Sequence, residues 1–301
     1  MTNAALNKYI QPEVLSRLNQ FQLLPRQLVE GSLAGAHKSP FHGYAVEFAS
    51  HREYVPGDDL RHLDWKVYFR HERHMIKQYE METNLVCHLV LDVSASMRYG
   101  DKDQQKLLVA SRMATILGYL VVEQSDKVSL TLIDDEIRGH LSPSNNMGQI
   151  VRMTESLDNV RSVNKTKLGS ALRELTGRIG RRSIVVIFSD CFVDLDDLAD
   201  ALQRLRYQNH EVVLFQVMHH DELTFDIDGM IRFIGLEDAD QFLTRPRDIR
   251  EGYLEAMNRF NESLEEICDQ NGCERVLCDT STNLGDVFAL YLQRRMATTH
   301  R

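Results

Sequence analysis

The sequence predicts an α/β protein built on a doubly wound, mostly parallel sheet, with a small N-terminal β-containing subdomain before it. Two observations carry this. From Val86 onward, short apolar runs alternate with segments that are apolar at helical spacing, the pattern of strands joined by covering helices. Two of those runs, Val86 to Leu91 and Ile184 to Phe188, are apolar almost throughout, as strands buried on both faces are. Polar residues cut each run short, and that length decides for strand over buried helix.

Taken in order, residues 1 to about 30 read as helical. Pro12 sits at a first-turn position, and Val14, Leu15, Leu18, Phe21 and Leu24 follow at rough helical spacing. Gly31 to Gly43 reads as loop. Pro56-Gly57-Asp58-Asp59 is a turn, flanked by short strands or a strand-helix mixture around Val67 to Phe69 and Met75 to Tyr79. Gln104 to Glu123 is a helix, Val128 to Ile133 a strand, and Ile137 to Leu141 its partner across the Asp134-Asp135 turn. Helices follow at Ile150 to Leu157 and Leu168 to Ile179. The strand Ile184 to Phe188, the helix Leu195 to Tyr207 and the strand Glu211 to Met218 come next. Residues 222–246 break the rhythm as a small β-rich insert. A long helix from Asp248 to Asn271 stops at Gly272, a residue suited to the left-handed position after a helix. Glu274 to Cys278 is a last strand, Leu284 to Arg294 a last helix. The domain boundary falls between 1–82 and 83–301.

Composition sets outer bounds. The 301 residues are 43% hydrophobic and 26% charged, ordinary for a chain with a sizeable core. A net charge of −9 argues against nucleic acid as the partner of the whole protein. No apolar run reaches the roughly 18 residues that span a bilayer, and MTNAALNKYIQPEV lacks the order of a signal peptide. Five cysteines, an odd number, suit a reducing compartment. The expectation is a soluble cytoplasmic protein with no membrane span.

The chemistry concentrates where the first buried strand ends, in VCHLVLDVSASM. Asp92, Ser94 and Ser96 project from the following turn, and in open α/β sheets ligands bind at the carboxyl ends of strands. Thr166 precedes one helix and Asp190 caps another strand. Together the five offer two carboxylates and three hydroxyls, a hard-oxygen set suited to Mg²⁺ or Mn²⁺.

D-V-S-A-S, a Thr before T-K-L-G-S-A-L and a strand-terminal Asp resemble the metal-ion-dependent adhesion site of von Willebrand factor A domains. That resemblance implies a metal held by Asp92, Ser94, Ser96, Thr166 and Asp190, with one position open to a partner's carboxylate. Upstream, EFxxxREYVPGDDLRHLDWKVYFR resembles the signature of the bacterial domain-of-unknown-function family fifty-eight. Its members carry a von Willebrand A-like domain and are associated with MoxR-type AAA ATPases, which implies an adaptor or co-chaperone role. Asn164, Lys165 and Lys167 depart from the glycines common around that Thr; lysines there weaken a cation site unless they point to solvent.

Structural roles stand beside these. Ser94 and Ser96 could cap the following helix, and Asp92 could accept backbone N–H bonds. Asp194 is expected to cap the helix at Leu195, with Asp196 and Asp197 at its positive end. Arg61, Lys66, Arg70, Arg73 and Lys77 are expected to pair with Asp58, Asp59 and Asp64, with Trp65 buried. Cys268, Cys273 and Cys278 fall on a helix end, a turn and a strand, which is no zinc spacing. His37, His42, His51 and the His219-His220 pair show no ligand pattern. The expected function is a non-enzymatic, metal-dependent protein-interaction module that grips a MoxR-type ATPase or its client. A Mg²⁺-dependent phosphohydrolase with Asp92 as nucleophile is the rival, although Ser94 stands where its general acid would be. A scaffold with a vestigial site is a third reading.

Overall fold

A computed structural model describes residues 8–18, 21, 23, 46–55, 63–71, 73–81, 85–160, 167–180, 182–236 and 241–299. The chain divides into two compact units. One is Gln27–Asn84; the other joins Met1–Arg26 to Leu85–Arg301. The first helix, α1 (Pro12–Leu18), has Pro12 at its first position and buries Val14 and Leu18. Arg17 reaches Asp286 at 2.8 Å, and Tyr9 donates to Asp158 at 2.8 Å. These contacts fasten the N-terminal segment, grouped by sequence with the smaller region, to the larger unit.

In the smaller unit, β1 (Val46–Glu53) pairs antiparallel with β2 (Met75–Met81) across a bulge between Phe48 and Ser50. Between them lies α2 (Trp65–His71). Asp64 caps it, its Oδ1 accepting from the amides of Lys66 at 2.9 Å and Val67 at 3.3 Å. The cap sets the phase of the helix, so Tyr68 packs toward the hairpin with its ring centroid 4.6 Å from that of His74. Trp65, expected to be buried, is therefore 54% exposed, and Phe69 is 80% exposed. The expected arginine pairs with Asp58 and Asp59 lie outside the described residues.

The larger unit begins with β3 (Val86–Asp92), followed by two short 3₁₀ turns and α3 (Lys106–Glu123). Then come β4 (Lys127–Ile133), β5 (Ile137–Ser144), α4 (Gly148–Asp158), α5 (Leu168–Thr176), β6 (Ile184–Ser189), α6 (Leu195–Tyr207) and β7 (Glu211–Met218). The insert is a short helix, α7 (His220–Thr224), and a hairpin of β8 (Ile231–Ile234) and β9 (Gln241–Thr244). α8 (Pro246–Gln270), β10 (Glu274–Asp279) and α9 (Leu284–Thr299) close the chain. Asp194 caps α6 by accepting from the Asp197 amide at 3.0 Å, and Gly272 after α8 has φ +61°, both as the sequence predicts.

Six strands form one sheet in the order β10-β7-β6-β3-β4-β5, parallel except for β5 at the edge. Counted along the chain, this is the doubly wound order, which reverses direction between β3 and β6. α5, α6 and α8 bury Leu172, Leu202 and Leu264 in one core with Val90, Ile187 and Leu214. On the other face Met113 of α3 meets Cys278, and Phe288 and Tyr291 of α9 pack on Phe215. All five cysteines are buried free thiols. α5 and α6 approach so closely at Gly169 that a Cβ there would stand 2.5 Å from the Asp197 carbonyl and nearer still to its carboxylate. Gly169→Ala is expected to cost roughly 1–3 kcal/mol in urea unfolding, because the contact is with backbone that cannot yield.

His88, the polar residue within β3, is buried with Nδ1 2.7 Å from Ser129 Oγ on β4. Burial, helped by His210 and His140, lowers its pKa to about 4. The unfolded chain protonates this ring near 6.5, so the stability it contributes is complete above that pH and is lost as pH falls toward 4. Urea unfolding across that window should show a slope contribution of up to about 1.4 kcal/mol per pH unit in wild type. The slope should be shallower in His88→Gln.

Candidate functional site

The strand order reverses between β3 and β6, the place where open α/β sheets bind ligands, and Asp92 and Asp190 stand at the carboxyl ends of these two strands. Asp92 ends β3, whose neighbours β4 and β6 hydrogen-bond it on both sides, so its carboxylate is fully buried. Two donors hold it. The Ser94 amide donates to Oδ1 at 2.9 Å, and Ser189 Oγ, from the end of β6, donates to Oδ2 at 2.7 Å. Burial pushes the Asp92 pKa up to about 6, Asp190's nearby charge adds to the rise, and the bonds from Ser189 and Ser94 oppose it.

The turn after β3 brings the two serine hydroxyls together, Ser94 Oγ and Ser96 Oγ standing 3.1 Å apart. Ser94 is fully buried and Ser96 half-buried. The helix-capping role considered for these serines is not seen: Ala95 precedes the 3₁₀ turn, Gln105 precedes α3, and neither makes a side-chain cap. Asp92 does accept a backbone N–H in this turn, the structural role considered for it.

Asp190 follows β6 in a turn fixed by Ser189, whose Oγ also accepts the Cys191 amide at 2.9 Å. Cys191 has φ +63°, a left-handed backbone unusual for a residue with a side chain. Both oxygens of Asp190 are engaged. Oδ1 accepts the Phe192 amide at 3.2 Å, and Oδ2 accepts the ammonium of Lys106 at 2.8 Å. Lys106 also donates to Glu222 Oε1 at 2.8 Å, and its side chain and that of Asp190 are wholly buried. Burial alone lowers a lysine pKa; Asp190 and Glu222 together outweigh it and raise that of Lys106. Glu222 Oε2 in turn accepts the His219 amide at 2.8 Å, completing a capping box at α7.

Of the five residues proposed from sequence, the structure gathers Asp92, Ser94, Ser96 and Asp190 at one edge. Thr166 lies outside the described residues; Lys167, next to it, is exposed. Sequence reasoning missed Lys106, Ser189 and Glu222. One signal was available: Lys106 shares a helical stripe with Val109, Ala110 and Met113, and a lysine on a buried stripe requires a buried anion. Of the paired histidines, His219 is buried with Nδ1 accepting the Asp221 amide at 3.2 Å, while His220 is exposed and meets Asp279 at 2.8 Å.

For a divalent cation the donors divide. Adjacent oxygens around an octahedral Mg²⁺ bound at 2.0–2.1 Å are about 2.9 Å apart. The serine hydroxyls match that spacing, and Asp92 beside them supplies hard-oxygen charge. Oδ2 of Asp190 already accepts the Lys106 ammonium. Among the described residues, no group of three or more His, Cys, Asp or Glu side chains is arranged to hold a metal. The site is one carboxylate with hydroxyls, a different donor set.

Solved structures similar to this chain include BatB of Bacteroides thetaiotaomicron, 16% identical, covering 72% of this chain and all of that one, with a TM-score of 0.47. An aerotolerance-related membrane protein of Bacteroides fragilis is 16% identical over 70% of this chain and 99% of its own, at 0.45. The SpRpn10 VWA domain is 11% identical over 68% and 93%, at 0.40. The expectation of a cytoplasmic protein is withdrawn: a membrane protein stands among these neighbours, and the lack of a spanning helix assigns no compartment. Among the described residues, no helix is long and apolar enough to cross a membrane. Uncharacterised proteins of Mycobacterium bovis and Mycobacterium tuberculosis share 34% identity over 113 residues, and the match spans about a third of their length (34%) and 36% of this chain. The family model "Protein of unknown function DUF58" matches residues 50–263, well over half of the chain. The chain belongs to that family.

Proposed function

We propose that this protein is a non-catalytic interaction module whose docking point is the carboxyl edge of the sheet between β3 and β6. The observation that carries this reading is the gathering of Asp92, Ser94 and Ser96 at the strand-order reversal, with hydroxyls spaced as neighbouring ligands of an octahedral cation. Asp92, Ser94 and Ser96, with Thr166, which precedes α5 in the sequence, would hold Mg²⁺ or Mn²⁺. Bound there, the ion supplies positive charge to grip a partner's carboxylate. The residues of the chain fix the donors: Ser189 and the Ser94 amide orient Asp92, and the 3₁₀ turn at Ser96 to Arg98 presents the hydroxyls. The partner this reading favours is a MoxR-type AAA ATPase or its client, in keeping with the family resemblance of the upstream segment.

Asp92 is a poor candidate for a phosphatase nucleophile. Both its oxygens accept hydrogen bonds, which lowers their nucleophilicity. Ser94, two residues on, offers no acid at neutral pH. A screen with phosphate monoesters should give no turnover; turnover abolished by Asp92→Asn would reverse the assignment.

Thermal unfolding in EDTA and then in millimolar Mg²⁺ or Mn²⁺ tests the cation. Wild type should gain about 2.7 kcal/mol when the ion reaches a hundred times its Kd. Asp92→Ala should gain nothing. Identical curves for both proteins in every condition would remove the cation from the reading. Capture of the ATPase should likewise need both the ion and Asp92.

A further inference from the structure

Lys106 is the least expected group in the site. It occupies the first turn of α3, where the helix's positive end disfavours a cation. Yet its side chain is completely buried, and two of its three N–H donors go to carboxylates on two different elements, Asp190 after β6 and Glu222 on α7. The rings of Phe192 and Tyr99 lie within 5.3 and 5.8 Å of the ammonium, a favourable setting for a desolvated cation. Glu222 is held in turn, its Oε2 by the His219 amide and its carbonyl by Tyr253 Oη at 3.0 Å. Gly100, at φ +92°, lets the preceding loop lie against His219; a Cβ there would stand 2.7 Å from that ring.

We infer that Lys106 is a built-in counter-cation that occupies the Asp190–Glu222 half of the site in place of a metal ion, leaving divalent-cation binding to the Asp92 side alone. A metal seeking Asp190 must displace an ammonium that is sealed from water and held by both carboxylates. Without that ammonium, the same two carboxylates become a hard-oxygen site with no positive charge inside it. Lys106 also ties α3 and the end of β6 to α7, so the start of the insert is anchored through the same charge. The statement about the Asp92 side rests on the proposed cation site; the statement about Lys106 does not.

The test is calorimetric titration of the full chain with Mn²⁺ alone, with thermal unfolding run in parallel. Asp190→Asn should bind Mn²⁺ within about twofold of wild type, because Asp190 is no ligand. Lys106→Met should gain a Mn²⁺ site at least about tenfold tighter than anything in wild type, since freed buried carboxylates attract a divalent ion strongly. That gain should vanish in Lys106→Met/Asp190→Asn. No gain in Lys106→Met, or a gain that survives the double substitution, would overturn the inference. Should Lys106→Met not fold, the Asp190→Asn titration decides: a loss of about tenfold or more there makes Asp190 a ligand and the inference wrong. Wild type that takes up no Mn²⁺ at all would defeat the cation site at Asp92, while the gain in Lys106→Met would still uphold Lys106 as the occupant of its own half.

Discussion

A carboxylate at the end of a strand buried on both faces must be satisfied from within the protein, and the carboxyl edge of this sheet is arranged around that requirement. β3 lies at the centre of the sheet, so Asp92 has no route to bulk water along the strand. An ionised carboxyl in such a place is costly without donors. Its own turn supplies the Ser94 amide, and the neighbouring strand supplies the Ser189 hydroxyl. Ser189 in turn shapes the next turn by accepting the Cys191 amide, which sets where Asp190 points. One buried charge thus orders the ends of two strands.

The second charge is handled differently. Asp190 is neutralised by Lys106, and a second donor of the lysine draws in Glu222 from α7. Breaking one partner of such a cluster leaves the others uncompensated, so its members constrain one another even where their net contribution to stability is small. The edge of the sheet therefore has two halves of different character. Around Asp92 are neutral hydroxyl donors and one carboxylate, open in chemistry to an added cation. Around Asp190 the cation is already part of the chain.

The smaller unit follows the same logic of satisfied ends with a different outcome. Asp64 caps its helix, and the phase it imposes turns Trp65 and Phe69 outward. Large exposed aromatics on a short helix are unusual for a surface left to solvent. Here they result from a local backbone constraint that outweighs the apolar preference of two side chains.

Much of the larger unit was legible without coordinates because its signals are local. The nearly continuous apolar runs at Val86 and Ile184 report burial on both faces, the helical stripe after Gln104 reports one covered face, and Asp194 and Gly272 mark a start and a stop by their own chemistry. The position of Asp92, Ser94 and Ser96 at a strand end is likewise a fact of chain order. What only the tertiary structure decided are the partners. Lys106 lies 84 residues from Asp190 and 116 from Glu222, and nothing within either segment announces the other. The phase of α2 was also undecidable, since periodicity over so few residues does not fix which side meets the hairpin. By itself the sequence determined that Asp92 and Asp190 would stand at the ends of buried strands. That Asp190 would meet Lys106, and Lys106 Glu222, was settled by the packing of α3 and α7 against β6, because desolvation, felt only in the assembled core, makes the choice of counter-charge matter.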